Sequence, residues 1–190
     1  MILFVLILGS SLTTALVAVD RFTAGPIARN EAIKLQKGIL SSLSIEYGPD
    51  DIDEKYSANI EVIITDGEKP KNFYRSKISG DIAFEISGTG LQGAIHATIA
   101  LSPDLERISG LSIVKQEETP GLGGRIAEDE FLDQFKGKAI SNGLAILSPG
   151  KAKADNEVDG ITGATLSCNA LEELLNSEIK KYVLMFRESK

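Results

Sequence analysis

The chain has 190 residues, 43% of them apolar and 25% charged, enough for one domain with a proper core and too few for two of ordinary size. A net charge of −7 with no large Lys/Arg cluster excludes a phosphate-backbone partner, so no nucleic acid is expected. The lone Cys168 and the lone His96 can form neither an internal disulfide nor a Cys/His zinc set, so no metal site is expected.

Met1 to Val19 carry no charged side chain and are mostly Leu, Ile, Val and Ala. At ~1.5 Å per residue a helix of that length matches the hydrocarbon thickness of a bilayer, which predicts one transmembrane helix over 1–20. A signal peptide is the alternative, although a basic leading segment is missing and Ala15 to Val19 makes a poor cleavage site. Arg21 and Arg29 follow the span, but a long domain is translocated largely regardless of charge, so charge alone leaves the orientation open. In "NEAIKLQKGILSSL" the residues Ile33, Leu35, Ile39, Leu40 and Leu43 trace an imperfect helical stripe. A helical stalk is expected over 21–46 and a single domain over 47–190.

Within the domain, "YGPDDIDEKYSAN" (47–59) reads as a loop, and "IEVIITD" (60–66) as a strand ending in a turn at Asp66-Gly67. Three more strand-like runs follow at 81–87, 94–101 and 110–116, joined by short connections that suit an antiparallel meander. "EDEFLDQFKGK" (128–138) predicts a short helix with Phe131, Leu132 and Phe135 on one face, and "GLAILS" (143–148) another strand. From Leu166 onward, Leu166, Ala170, Leu171, Leu174, Leu175, Ile179, Tyr182, Val183 and Phe186 recur at three- and four-residue spacing, which predicts a long amphipathic helix facing a sheet. The expected fold is α+β: a mainly antiparallel sheet packed by helices, preceded by one N-terminal transmembrane helix.

Several stretches could carry chemistry. "GTGLQG" (88–93) has the letters of a dinucleotide fingerprint, but the period-two alternation of "AIHATIAL" behind it predicts a hairpin turn instead of a phosphate-binding helix. His96 and Cys168 could pair only if the fold brought strand and helix together, and Asp50, Asp51, Asp53 and Glu54 lack the spacing of a calcium loop. In "EETPGLGGR" (117–125) Pro120 removes a backbone donor, and Gly121, Gly123 and Gly124 let the chain approach a planar ligand without Cβ atoms in the way; a plain turn would use the same letters. "DGITGATLSC" (159–168) places the hydroxyls of Thr162, Thr165 and Ser167 at the start of the last helix, a seat for phosphate or a hydroxyl-rich cap. Asp159 does not suit a phosphate contact and reads as a cap or as a recognition element for another protein.

The N-terminal span, "ETPGLG" (118–123), "FLDQFKGK" (131–138) and "DGITGATLS" (159–167) together resemble the FMN-binding domain family, and within it the G subunits of Rnf ion-translocating ferredoxin:NAD oxidoreductase complexes. The resemblance implies FMN joined by a phosphoester to the last hydroxyl of Thr162, Gly163, Ala164, Thr165, Leu166 and Ser167, with Ser167 as the attachment residue in place of the commoner threonine. It implies a flavin transferase as maturation partner, with Asp159 as the residue it reads. Glu118, Thr119, Pro120, Gly121, Leu122 and Gly123 would lie against the isoalloxazine ring. Gln116 stands where relatives often carry His, and "GTGLQG" lacks the aromatic residues frequent in that loop. The function so implied is an electron relay on the outer face of the cell membrane, among other membrane subunits of an Rnf-type complex, with no catalytic residue of its own. The alternatives are the C subunit of a Na⁺-translocating NADH:quinone reductase, a flavinylated membrane carrier outside any complex, and a scaffold module without flavin.

Overall fold

The structure is a computed structural model that describes residues 1–65 and 70–188, so the expected Asp66-Gly67 turn lies outside the described residues. Met1–Lys34 and Leu35–Lys190 form two compact units. The first is the exposed part of one helix, α1 (Ile2–Ser42), long and apolar enough to cross a membrane. Its hydroxyl side chains are satisfied inside the helix: Ser10, Ser11, Thr13, Thr14 and Thr23 donate to carbonyls three or four residues back. A helix that solvates its own hydroxyls tolerates a bilayer, where no water replaces the missing partner.

The second unit begins inside the segment expected as a stalk. Ile39 and Leu40 are fully buried, because the last turns of α1 pack on the sheet of the domain. The approach is close: a Cβ on Gly110 would lie 2.3 Å from the Ser42 carbonyl oxygen.

That sheet has five strands in sequential order, β1 (Ile60–Ile64), β2 (Asn72–Ser76), β3 (Ile82–Thr89), β4 (Ala94–Leu101) and β5 (Ile108–Gln116). Every pairing is antiparallel, as a meander with short connections requires. One face meets α4 (Thr165–Glu188), whose Leu171, Leu174, Leu175, Ile179, Tyr182 and Phe186 are buried in the core. Against them lie Phe73, Phe84, Ile86, Ile95 and Ile99, and the Phe84 and Tyr182 rings stack at 4.7 Å. Leu166 departs from the stripe: nine residues, or about two and a half turns, before the buried Leu175, it lies on the opposite side of α4 and is exposed.

Four elements depart from expectation. The strand β2, "NFYRS", shows no alternation because Phe73 and Tyr74 are both buried, Phe73 in the core and Tyr74 through a bond to Glu85. The segment expected as a loop contains α2 (Ile52–Asn59), whose first-turn Asp53 and Glu54 complement the helix dipole. The expected helix over 128–138 is only α3 (Asp129–Leu132) and a 3₁₀ turn to Phe135. Beyond it, β6 (Ala145–Leu147) pairs in parallel with β7 (Glu157–Asp159), a strand that the sequence pattern does not signal. The open edge of β6 is bonded by α4: Asn176 accepts the Leu144 N–H at 2.7 Å, and Glu172 accepts that of Ile146.

Candidate functional site

Three segments far apart in sequence meet at the start of α4. The first is the β3–β4 turn, closed by the bond from the Gly90 N–H to the Gly93 carbonyl. It is the hairpin expected of "GTGLQG", with Thr89 paired to Ala94. The second is the "ETPGLG" segment that leaves β5, and the third is the turn 160–164 that leads into α4.

Glu118 joins them. Its carboxylate is buried; one oxygen accepts the N–H groups of Leu91 at 2.7 Å and Gln92 at 3.1 Å, and the other accepts the Ser167 hydroxyl at 2.6 Å. Its own N–H donates to the Gln116 side-chain oxygen at 2.6 Å. Burial would raise the Glu118 carboxyl, but the Ser167 hydroxyl and the amides of the turn outweigh it and hold the group below the ordinary glutamate value. Gly123 makes room for the arrangement: a Cβ there would lie 2.3 Å from the Ser167 oxygen and 2.8 Å from a Glu118 oxygen.

The hydroxyls of Ser167, the expected attachment residue, and of Thr165 differ sharply. Ser167 is 2% exposed and its hydroxyl is engaged by Glu118, whereas Thr165 is exposed at the first position of α4, with Thr162 exposed one turn before it. Gly163, between them, has φ +80, a conformation that a residue with a Cβ rarely adopts, and packs near Leu122. Ala164 is buried beneath the turn. Leu91, Leu122 and Leu166 each come from a different one of the three segments, and all are about half exposed or more, at 49%, 50% and 62%. Thr119 and Pro120 complete the middle segment, and Gly121, at φ +75, has open space where a Cβ would stand.

Asp159 is engaged within its own loop. Its carboxylate accepts the N–H groups of Lys151 at 2.8 Å and Ala152 at 2.9 Å, and these amides depress its proton affinity. Gln134 brackets its backbone, accepting the Asp159 N–H and donating to the Asp159 carbonyl. His96 is exposed on β4, on the face opposite Ile95 and Ala97, while Cys168 is buried in the core, where desolvation raises its thiol. The two are therefore on different sides of the sheet and form no nucleophilic pair. Beside the turn, Arg125, Glu128, Phe131, Gln134, Ile161 and Thr162 line a cleft of about 180 Å³, smaller than the ~300–1,000 Å³ of pockets that enclose a cofactor-sized ligand.

An exposed hydroxyl at a helix start, first-turn amides without intrahelical partners, and apolar side chains around an open surface suit a phosphate tail carrying a flat, largely apolar ring. Residues 90–180 match the family model described as FMN-binding domain. The chain contains an FMN-binding domain. Its apolar N-terminal helix is long enough to anchor it in a membrane, and the matched domain is one that binds FMN.

The FMN-binding domain and the helix before it align with the G subunit of a Na⁺-translocating ferredoxin:NAD⁺ oxidoreductase complex from Acetobacterium woodii, 27% identical and covering 95% of this chain and 89% of that one. The C subunit of a Na⁺-translocating NADH-quinone reductase from Chlamydia pneumoniae is 31% identical over 139 residues, 59% of this chain and 43% of the relative. The chain spans less than half the length of the first such C subunits that it matches. The crystal structure of the C subunit from Parabacteroides distasonis superposes with a TM-score of 0.72 at 27% identity, covering 82% of this chain and 92% of that chain.

Sequence reasoning missed the joint between Glu118 and Ser167, because a contact across 49 residues leaves no local pattern. It also missed Gln134, whose partner Asp159 lies on a different element.

Proposed function

We propose that this chain is the membrane-anchored electron-relay subunit of an Rnf-type ion-translocating ferredoxin:NAD oxidoreductase, with FMN held by a phosphoester to a hydroxyl of the 162–167 turn. The observation that carries the reading is the alignment with the Acetobacterium woodii G subunit, which runs through the apolar helix as well as the FMN-binding domain. The C-subunit alternative draws on a similar fold, but those relatives match over a smaller part of this chain.

FMN supplies redox chemistry that passes electrons singly or in pairs. The chain's own residues supply position. Ser167, in the first turn of a 24-residue helix, is the acceptor of the 162–167 motif, and its hydroxyl faces a carboxylate, that of Glu118. Attachment there replaces the bond that the hydroxyl donates to Glu118, while the Thr165 hydroxyl stands exposed beside it. At the start of α4 the helix dipole and the first-turn amides favour the added anion. Leu91, Leu122 and Leu166 are the apolar side chains available to hold the ring, and Glu118 and Gly123 act behind them. Attachment by a flavin transferase and placement of the domain on the outer face belong to the same reading. In the folded chain Asp159 organises the 150–152 loop beside the turn, so its role for a transferase is to set the shape of the segment being modified.

The test is the intact mass and in-gel fluorescence of denatured protein coexpressed with a flavin transferase. Wild type should carry one FMN that survives denaturation, Ser167→Ala should carry none, and Thr165→Ala should keep it. Loss only in Thr165→Ala would move the assignment to Thr165. An unmodified wild-type chain would remove the covalent reading.

A further inference from the structure

The helix α1 is continuous from Ile2 to Ser42, yet its two ends lie in different surroundings. Residues up to Val19 carry no charged side chain and form the span. The far end is fixed on the sheet: Ile39 and Leu40 are fully buried, and a Cβ on Gly38 would lie 2.7 Å from Val114 Cγ2 and 3.0 Å from the Thr98 hydroxyl. With the Ser42 carbonyl against Gly110, these turns have no room to slide or tilt. Between the two ends, from Asp20 to Ala32, every residue is exposed.

That exposed stretch holds Pro26, the proline inside α1, directly after Gly25. Pro26 has no N–H to give the Phe22 carbonyl, and its ring crowds the same turn. Gly25 adds backbone freedom in place of a helix-forming side chain, and a Cβ there would meet nothing within 4 Å. No packing contact substitutes for the missing bond, and helices bend at such positions. Gly9, inside the span, lacks that combination: its carbonyl accepts the Thr13 hydroxyl at 2.8 Å, and no proline follows within a turn.

We propose that Gly25–Pro26 is a hinge in α1, placed between the membrane span and the docked turns so that the FMN-binding domain changes direction on its anchor while its own contacts stay intact. The bend follows from α1 alone; its use rests on the function proposed above. A relay must meet both the group that reduces it and the group that oxidises it. A flavin carried on a hinged domain reaches the two in turn without leaving the membrane.

Spin labels at Ala15→Cys and Ala32→Cys, both exposed and one on each side of the pair, read the bend as a distance in the full-length chain in lipid nanodiscs. The native Cys168 is buried in the core, and the chain without the two new cysteines checks that it takes up no label. Wild-type distances should spread over a broad range that extends below about 26 Å, the rise of a straight helix over this interval. Gly25→Ala combined with Pro26→Ala restores the N–H and places two strong helix formers at the joint, so the distances should collapse to one narrow peak at the straight-helix value. Distances equally narrow in wild type, or equally broad in the double variant, would overturn the hinge. The second measurement is the rate at which the flavin in the assembled complex is reduced and reoxidised. The double variant should carry as much FMN as wild type and turn over severalfold more slowly. A rate equal to wild type would overturn the role in electron transfer. A wild-type chain that takes up no flavin would sink the proposed function, while the distances would still decide the hinge.

Discussion

At the scale of single residues, Glu118 couples the site to pH. Its carboxyl is depressed in the folded chain, so the unfolded state takes up the proton more readily. The stability it contributes is present in full above the ordinary glutamate value and is lost as pH falls through the depressed one. Glu118→Gln does not titrate. The gap in unfolding free energy between wild type and Glu118→Gln, measured by urea denaturation at a series of pH values, should therefore narrow as the solution is acidified through that range. A gap independent of pH would refute the coupling. At neutral pH Glu118→Ala should cost on the order of 1.5–3 kcal/mol, since it takes the charged acceptor from two part-buried amides. Asp159 acts on a smaller scale. Asp159→Ala should speed exchange of the Lys151 and Ala152 amides and leave the core strands unchanged, because its carboxylate bonds only its own loop.

At the scale of elements, α4 separates periodicity from burial. Leu166 and Leu175 both fall on the apolar stripe of the sequence, yet Leu166 is 62% exposed and Leu175 fully buried. Leu175→Ala should cost about 2–5 kcal/mol by opening a cavity against the sheet. Leu166→Ala should change stability by less than about 0.5 kcal/mol, and its effect should be seen on the flavin instead. Thermal or chemical unfolding of the two variants checks the contrast. Leu166 is exposed on the same motif that holds the acceptor hydroxyl, with the exposed Leu91 and Leu122 on the other two segments of the site, a grouping better explained by a ligand than by the core.

At the scale of the whole molecule, the boundary of the folded unit falls within a continuous helix. A chain beginning at Leu35 should be recovered in the aqueous phase and melt cooperatively, because it keeps the turns of α1 that pack on the sheet. A chain beginning at Glu46 should melt at a lower temperature, since it loses the fully buried Ile39 and Leu40, each worth about 1.5–3 kcal/mol of burial. Equal melting temperatures would mean that these turns add nothing to the domain.

The sequence by itself determined whatever repeats at short range. The charge-free run before Asp20 gave the span, the alternation of β3 and β4 gave the hairpin, and the three- and four-residue spacing after Leu166 gave α4. The motifs "ETPGLG" and "TGATLS" marked the site for the same reason, since each is a contiguous string whose small residues and hydroxyls speak locally. Tertiary structure alone decided β2, where both faces are covered and alternation is lost, and the parallel β6–β7 pair, whose strands are too short to show a pattern. It also decided which hydroxyl is free. Helical geometry turns Thr165 outward and carries Ser167 into the core beside Glu118, a residue 49 positions away that no local spacing could link to it.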